Sequence, residues 1–401
     1  MVFGLWAHAE RSDMKIQQAD RLKALPPYLF AELDRMKAEV AAKGIDIISL
    51  GVGDPDLPTM PNIIDRLKKA VDNPAHHQYP SYEGMLSFRE AVARWYGDRF
   101  NVKLDPVSEV VSLIGSKEGI AHAPLAFVNP GDVVLCPDPG YPVYSIGTMF
   151  AGGESYIMPL LEENLFLPDL SAIPADILDR ARIMFLNYPN NPTSAVANRE
   201  FFEEVVAFAS KNNILVCHDA AYTEVYYDGE LPMSFLEIPG AREVGIEFHS
   251  LSKTYNMTGW RIGWVCGNEE AVGAIGRIKT NIDSGIFQAV QEAGIEALQG
   301  DQQPVDDLRG IYQSRRDLAC DFLSKKGFSF TAPRATFYLW ARTPEGHSSA
   351  QFAGRVLTET GVVLTPGNGF GIHGEGYFRI SLTVNEERLQ EALGRIGTLS
   401  W

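Results

Sequence analysis

The chain has 401 residues, 45% of them hydrophobic and 21% charged, and no run approaches the ~18 consecutive apolar residues that a membrane helix requires. These values describe a globular protein with a large core and exclude a fibrous chain, a lone binding module and a membrane-spanning one. Thirty-five Lys and Arg against 51 Asp and Glu leave a net charge of −16, a field that repels phosphodiester backbones. Nucleic acid is therefore not an expected partner, and a small anion has to be captured by a local cluster of Arg, Lys and helix N-termini.

Residues 1–13 contain a short apolar patch without a basic region ahead of a long apolar core, so they read as a flexible extension and not as a secretory signal. The four cysteines, Cys136, Cys217, Cys266 and Cys320, are widely spaced and form no CxxC pair. Reduced, buried thiols and a cytoplasmic location are expected. Residues 28–43 carry apolar positions at helical spacing, followed by IDIISLGVGDPD, a short strand entering a turn-rich loop. A helical pattern resumes over 83–100. Apolar, β-branched runs then recur at 110–114, 133–136, 183–186, 214–217 and 262–266, with helical stretches such as 119–128 and 199–211 between them.

Continuous apolar strands alternating with helices predict an α/β domain whose sheet is mostly parallel and covered on both faces. Ligands sit beyond the carboxyl ends of such strands. After residue 285 the pattern is helical, with short strands predicted at 336–341 and 377–383 and a last helix at 385–395. The division predicted is a large domain over 51–285 and a smaller α+β domain built from 14–50 and 286–401.

The polar residues at the predicted strand ends carry the chemistry. Strand 110–114 runs into Gly115-Ser116-Lys117-Glu118-Gly119, a strand-to-helix turn that presents free N–H groups, a hydroxyl and a positive dipole end to an anion. Taken alone it is equally an ordinary helix cap, and its spacing is not that of a Walker loop. The segments Gly51-Val52-Gly53 and 367–371 do not make a dinucleotide fingerprint, which excludes a nicotinamide cofactor on this evidence. Strand 183–186 ends in Asn187-Tyr188-Pro189-Asn190-Asn191-Pro192-Thr193, strand 214–217 in His218-Asp219-Ala220-Ala221-Tyr222, and a further strand in Ser250-Leu251-Ser252-Lys253, with Arg261 eight residues on. No histidine pair has metal-ligand spacing, and no metal site is expected.

The ordered set GSKEG, NYPNNPT, DAAY, SLSKTYNMTGWRIG and FRIS resembles the class I pyridoxal-phosphate-dependent aminotransferases of fold type I, from about residue 20 onward. The resemblance implies a large domain with a mostly parallel seven-stranded sheet between helices. It implies pyridoxal 5'-phosphate as cofactor, Lys253 as the lysine bound to it, Asp219 as the partner of its pyridinium nitrogen, and Tyr222 and Asn191 as partners of its phenolic oxygen. Tyr141 would stack on the ring, and Ser116, Lys117, Ser250, Ser252 and Arg261 would hold the phosphate. Tyr79 would reach the phosphate of the neighbouring subunit in a homodimer with shared sites. Arg379 would clamp the substrate α-carboxylate, with Gly53 and Asn191 lining the same pocket.

These residue types suit the chemistry. A carboxylate at Asp219 favours the protonated ring nitrogen on which the electron sink depends. A freed Lys253 amine can carry the substrate proton, and the planar fork of Arg379 orients a carboxylate bidentately where a lysine would not.

Within that family, the segment LPPYLFAELDRMKAEVAAKGIDIISLGVGDPDLPT resembles bacterial sequences assigned to LL-diaminopimelate aminotransferase. This implies transfer of an amino group from LL-diaminopimelate to 2-oxoglutarate in lysine biosynthesis, with Tyr28, Tyr82 and Glu83 as candidates for recognising the distal zwitterion. The position three residues after Tyr79, a glutamate in better-defined members, is Tyr82 here, and Glu83 comes next. The alternatives are an aminotransferase of alanine, aspartate or aromatic amino acids, and a carbon–sulfur β-lyase on the same scaffold.

Overall fold

The computed structural model of the protein describes residues 16–25 and 29–401, so the extension over 1–13 and Tyr28 lie outside the described residues. After β1 (Ile48–Ser49) come the seven strands of the central sheet. They are β2 (Val110–Leu113), β3 (Val133–Asp138), β4 (Glu154–Pro159), β5 (Ala181–Asn187), β6 (Leu215–Asp219), β7 (Gly245–Ser250) and β8 (Gly263–Gly267). Their order is β2-β8-β7-β6-β5-β3-β4. All neighbours run parallel except β8, which is antiparallel to both β2 and β7.

Every residue of β2, β3, β7 and β8 is buried, because helices cover both faces. Alternate residues divide between two cores. Val111, Leu113, Val134, Cys136, Phe185, Cys217 and Phe248 meet the helices Ser116–Phe127, Val143–Ala151 and Glu269–Ile282, while Val110, Leu135, Leu186 and Val216 meet Leu86–Phe100 and Arg199–Asn212. In the central sheet, the strand that the apolar pattern does not announce is β4. It lies at the sheet edge, and only one of its six residues is buried, so it lacks the continuous apolar run that marked its neighbours. β5 and β6 also run further than their apolar stretches, to Asn187 and Asp219, which pair with each other across the ladder.

The rest of the chain forms β9 (Tyr338–Arg342), β10 (Val362–Val363), β11 (Thr365–Pro366) and β12 (Tyr377–Ser381), with helices Gln303–Lys325, Ser349–Thr360 and Glu386–Ile396. β1 pairs in parallel with β10, and β12 lies between β11 and β9 in an antiparallel sheet. Residues 50–53 are thereby tied to the C-terminal segments: Leu50 N–H donates to Val363, Ser381 N–H donates to Leu50, and the Thr365 and Thr383 hydroxyls donate to the carbonyls of Gly51 and Val52. This places Gly51–Gly53 and Arg379 of β12 beside the carboxyl ends of the central strands.

Candidate active site

At the carboxyl ends of β5 and β6, the Asn187 side chain does two jobs. Its Nδ2 donates to the Asp219 carbonyl at 2.7 Å, and its Oδ1 accepts the Asn191 N–H at 2.8 Å, so the NYPNNPT loop is folded back against β6. The Asp219 carboxylate is buried. Oδ2 accepts the Tyr144 hydroxyl at 2.9 Å, and Oδ1 has no partner among the described residues. Burial pushes this carboxyl up, against the opposing Tyr144 hydrogen bond, so the site favours a proton or a cation beside Oδ1.

Lys253 lies in the single turn Leu251–Thr254 after β7, whose start is capped by the Ser250 hydroxyl accepting the Ser252 N–H. Its ammonium donates to the Gly53 carbonyl at 2.8 Å and stands 5.7 Å from the centre of the Phe337 ring. Gly53 has to be glycine, since a Cβ there would overlap the Tyr338 hydroxyl. That hydroxyl lies 3.1 Å from the hydroxyl of Tyr222. The Tyr338 ring also lies 4.1 Å from the guanidinium carbon of Arg379, which has Phe370 at 4.6 Å as a second aromatic neighbour. Arg379 donates to Asn191 Oδ1 and to the Gly51 carbonyl, each at 2.6 Å, and its Nε has no partner among the described residues. It is 3% exposed, and no carboxylate pairs with it among the described residues. A buried guanidinium held only by neutral acceptors is a site for an anionic ligand.

The third part is the turn at Gly115, which has φ +74° and sits at the N-cap of Ser116–Phe127. A Cβ on Gly115 would overlap the Arg261 guanidinium, so the cation lies directly against the helix start. Glu118 braces this turn by accepting the Ile114 N–H at 2.7 Å and the ammonium of the fully buried Lys279 at 3.1 Å. Ser252 Oγ is buried and has no partner among the described residues. The Lys117 ammonium lies 5.9 Å from the centre of the Tyr141 ring, and that ring meets Tyr144 edge-on at 5.9 Å.

The structure thus gathers Lys253, Asp219, Tyr222, Asn191, Arg379 and Gly53 with Ser250 and Ser252, and brings Ser116, Lys117, Tyr141 and Arg261 to the same strand ends. Within one chain it does not bring in Tyr79, Tyr82 or Glu83. Tyr79 is 88% exposed and Tyr82 45%, and the Glu83 carboxylate accepts the nearby Ser81 hydroxyl. Sequence reasoning missed Tyr144, Asn187 and Tyr338. Asn187 stands inside a motif already singled out, and Tyr144 one helical turn after Tyr141. Nothing in ATFYLW marks Tyr338.

A family model described as Aminotransferase class I and II matches residues 45–396. The chain belongs to this family. It is 60% identical over 388 residues, 97% of this chain and 100% of the relative, to the LL-diaminopimelate aminotransferase of Syntrophobacter fumaroxidans. It is 61% identical over 390 residues, again 97% and 100%, to that of Nitratidesulfovibrio vulgaris. Among solved structures, BacF from Bacillus subtilis in its apo form superposes with a TM-score of 0.92 at 39% identity, covering 97% of this chain and 99% of that one.

Aminotransferases of this family use pyridoxal 5'-phosphate, and the residues present fit it. The bare Oδ1 of Asp219 suits a protonated ring nitrogen, while Ser252 Oγ, the Gly115 turn and Arg261 suit a phosphate. Lys253 provides a primary amine at the same strand ends. Glu118, His122 and Asp283 also lie close together, but the Lys279 ammonium sits against both carboxylates as their counter-charge. Among the described residues no helix is long and apolar enough to cross a membrane.

Proposed function

We propose that this aminotransferase moves the amino group of LL-diaminopimelate to 2-oxoglutarate, yielding glutamate and, after spontaneous cyclisation, tetrahydrodipicolinate, in cytoplasmic lysine biosynthesis. The observation that carries the reading is identity near 60% along the whole length of relatives bearing that name. The buried, anion-seeking Arg379 supplies what any such donor and acceptor share, an α-carboxylate to hold.

Pyridoxal phosphate, when bound, supplies the electron sink for charge left at the substrate Cα. The chain's residues do the rest. Asp219 would keep the ring nitrogen protonated, and Tyr222 and Asn191 would hydrogen-bond the phenolic oxygen. Tyr141 would stack on the ring, and Ser116, Lys117, Ser250, Ser252 and Arg261 would neutralise the phosphate. Lys253 would hold the cofactor, and its amine would take the proton from Cα. Arg379 grips the α-carboxylate as a fork and so fixes which Cα bond is broken, with Asn191 and Gly53 lining the pocket.

The active form proposed is a homodimer. The exposure of Tyr79 in one chain supports its reaching the neighbouring subunit's phosphate, and Tyr82, Glu83 and Tyr28 are assigned to the distal head of the substrate. Residues 51–285 are read as the cofactor-binding domain and 14–50 with 286–401 as the smaller one.

A half-reaction screen with single amino acids tests the reading, following the visible spectrum of the cofactor-loaded protein. Conversion by LL-diaminopimelate and glutamate, but not by aspartate or alanine, is expected. Conversion by other amino acids alone discards the substrate, and release of pyruvate and ammonia from cystathionine without a 2-oxo acid establishes a lyase instead.

A further inference from the structure

On the sheet face opposite the Asp219 carboxylate, beneath Leu86–Phe100, lies a buried polar cluster that transamination leaves unused. Glu247 of β7 has no exposed surface, yet its carboxylate takes five hydrogen bonds. Oε1 accepts from the Tyr96 hydroxyl at 2.7 Å, Ser234 Oγ at 2.8 Å and His249 Nε2 at 3.1 Å. Oε2 accepts from His218 Nδ1 at 2.8 Å and the Phe235 N–H at 2.9 Å. Burial alone pushes this carboxyl up, but the hydrogen bonds from the two histidines outweigh it and hold the group well below the ordinary carboxylate range.

His218 is the member that leads toward the site. It is the register partner of Glu247 on the adjacent strand, and its Nδ1 carries the proton donated to that carboxylate. Its Nε2 lies 3.3 Å from the backbone nitrogen of Tyr188, whose N–H donates to it. A ring nitrogen that accepts from an N–H bears no proton itself, so these two contacts match the Nδ1–H tautomer. Tyr188 is the first residue after β5, in the loop whose Asn191 holds Arg379.

We propose that His218 is a positioning residue for the substrate-carboxylate site: Glu247 sets its tautomer, and the accepting Nε2 anchors the Tyr188 end of the loop that aims Asn191 at Arg379. The proposal rests on Arg379 binding the α-carboxylate. Asn187, at the end of β5, ties the same loop to the Asp219 carbonyl of β6, so His218 forms the second of two anchors on opposite faces of the sheet.

Two substitutions separate the two ends of the ring. His218→Gln places an acceptor near the Nε2 position and leaves Glu247 its four other donors, whereas His218→Asn places a donor near Nδ1 and leaves the Tyr188 N–H without an acceptor. In the cofactor-loaded enzyme, His218→Asn is expected to raise KM for the amino donor about tenfold, the equivalent of one lost hydrogen bond, with kcat within about twofold. His218→Gln is expected to keep KM near the wild-type value. Equal KM values in the two variants, or a rise in His218→Gln alone, overturn the proposal.

A neutron crystal structure of the unaltered protein tests the tautomer independently of folding in the variants. A deuteron on Nδ1 with none on Nε2 is expected, and one on Nε2 overturns the inference. An Arg379 variant with unchanged KM would defeat the carboxylate assignment, while the neutron result would still report on His218 by itself.

Discussion

Arg379 on β12 and Asn191 in the loop after β5 stand 188 residues apart in sequence and are joined by a 2.6 Å hydrogen bond from guanidinium to amide oxygen. This bond ties the C-terminal sheet to the loop at the carboxyl end of the central sheet. Burial lowers the Arg379 pKa, and among the described residues no acid offsets its charge, so a carboxylate is the expected occupant of the space beside it. Arg379→Lys keeps a charge but loses the fork. We expect KM for both the amino acid and the 2-oxo acid to rise roughly ten- to a hundredfold, the loss of about 1.5–3 kcal/mol from a charge-assisted hydrogen bond. Steady-state kinetics with both substrates check this, and unchanged KM values would remove Arg379 from the substrate site.

Lys253→Ala is expected to abolish transamination and the visible absorbance of a covalently held cofactor. Among the described residues the only hydrogen-bond partner of its ammonium is the Gly53 carbonyl, so the fold should lose little. Circular dichroism and thermal melting should match the wild type while turnover is absent, and a purified variant with normal turnover would sink the assignment.

Asp219 links the site to stability. With its carboxyl pushed up by burial, the native cofactor-free protein holds that proton to higher pH than the unfolded chain does. Stability from this group is complete below the unfolded Asp pKa and is lost as pH rises through the raised folded value. Cofactor-free Asp219→Asn is therefore expected to melt higher than the cofactor-free wild type at neutral pH, yet to gain less on adding pyridoxal phosphate. Calorimetry of the four samples decides the matter; equal gains on cofactor addition would show that Asp219 does not face the ring nitrogen.

Tyr79 offers a test of the shared site. Mixing a Tyr79→Phe protein with Lys253→Ala should restore activity through hybrid dimers in which one of the two sites has both residues intact. Absence of complementation after verified subunit exchange would place Tyr79 outside the partner's site.

Much of the site was legible because its residues follow apolar strands. A run such as Ile183–Leu186 ends where the chain leaves the core, and the polar residues after it stand at the sheet's carboxyl edge whatever the strand order. Asn191, Asp219 and Lys253 were located that way. β4 was not, because an edge strand with one buried residue in six carries no such pattern. Tyr338 was not, because its role comes from the Tyr222 hydroxyl and the Arg379 guanidinium, which reach it from distant parts of the chain.

From the sequence alone came the class of fold and the strand-end positions of the polar motifs, since hydrophobic periodicity and turn chemistry act over a few neighbours and are written locally, while the cofactor and the roles expected of those residues came from the motifs' resemblance to a family. Only the tertiary structure decided which of those residues touch. It left Arg379 buried without a counter-ion, Asp219 with a bare oxygen, and His218 between Glu247 and Tyr188. Those outcomes depend on strand order and burial, which set the local dielectric and the hydrogen-bond partners that no neighbouring residue supplies.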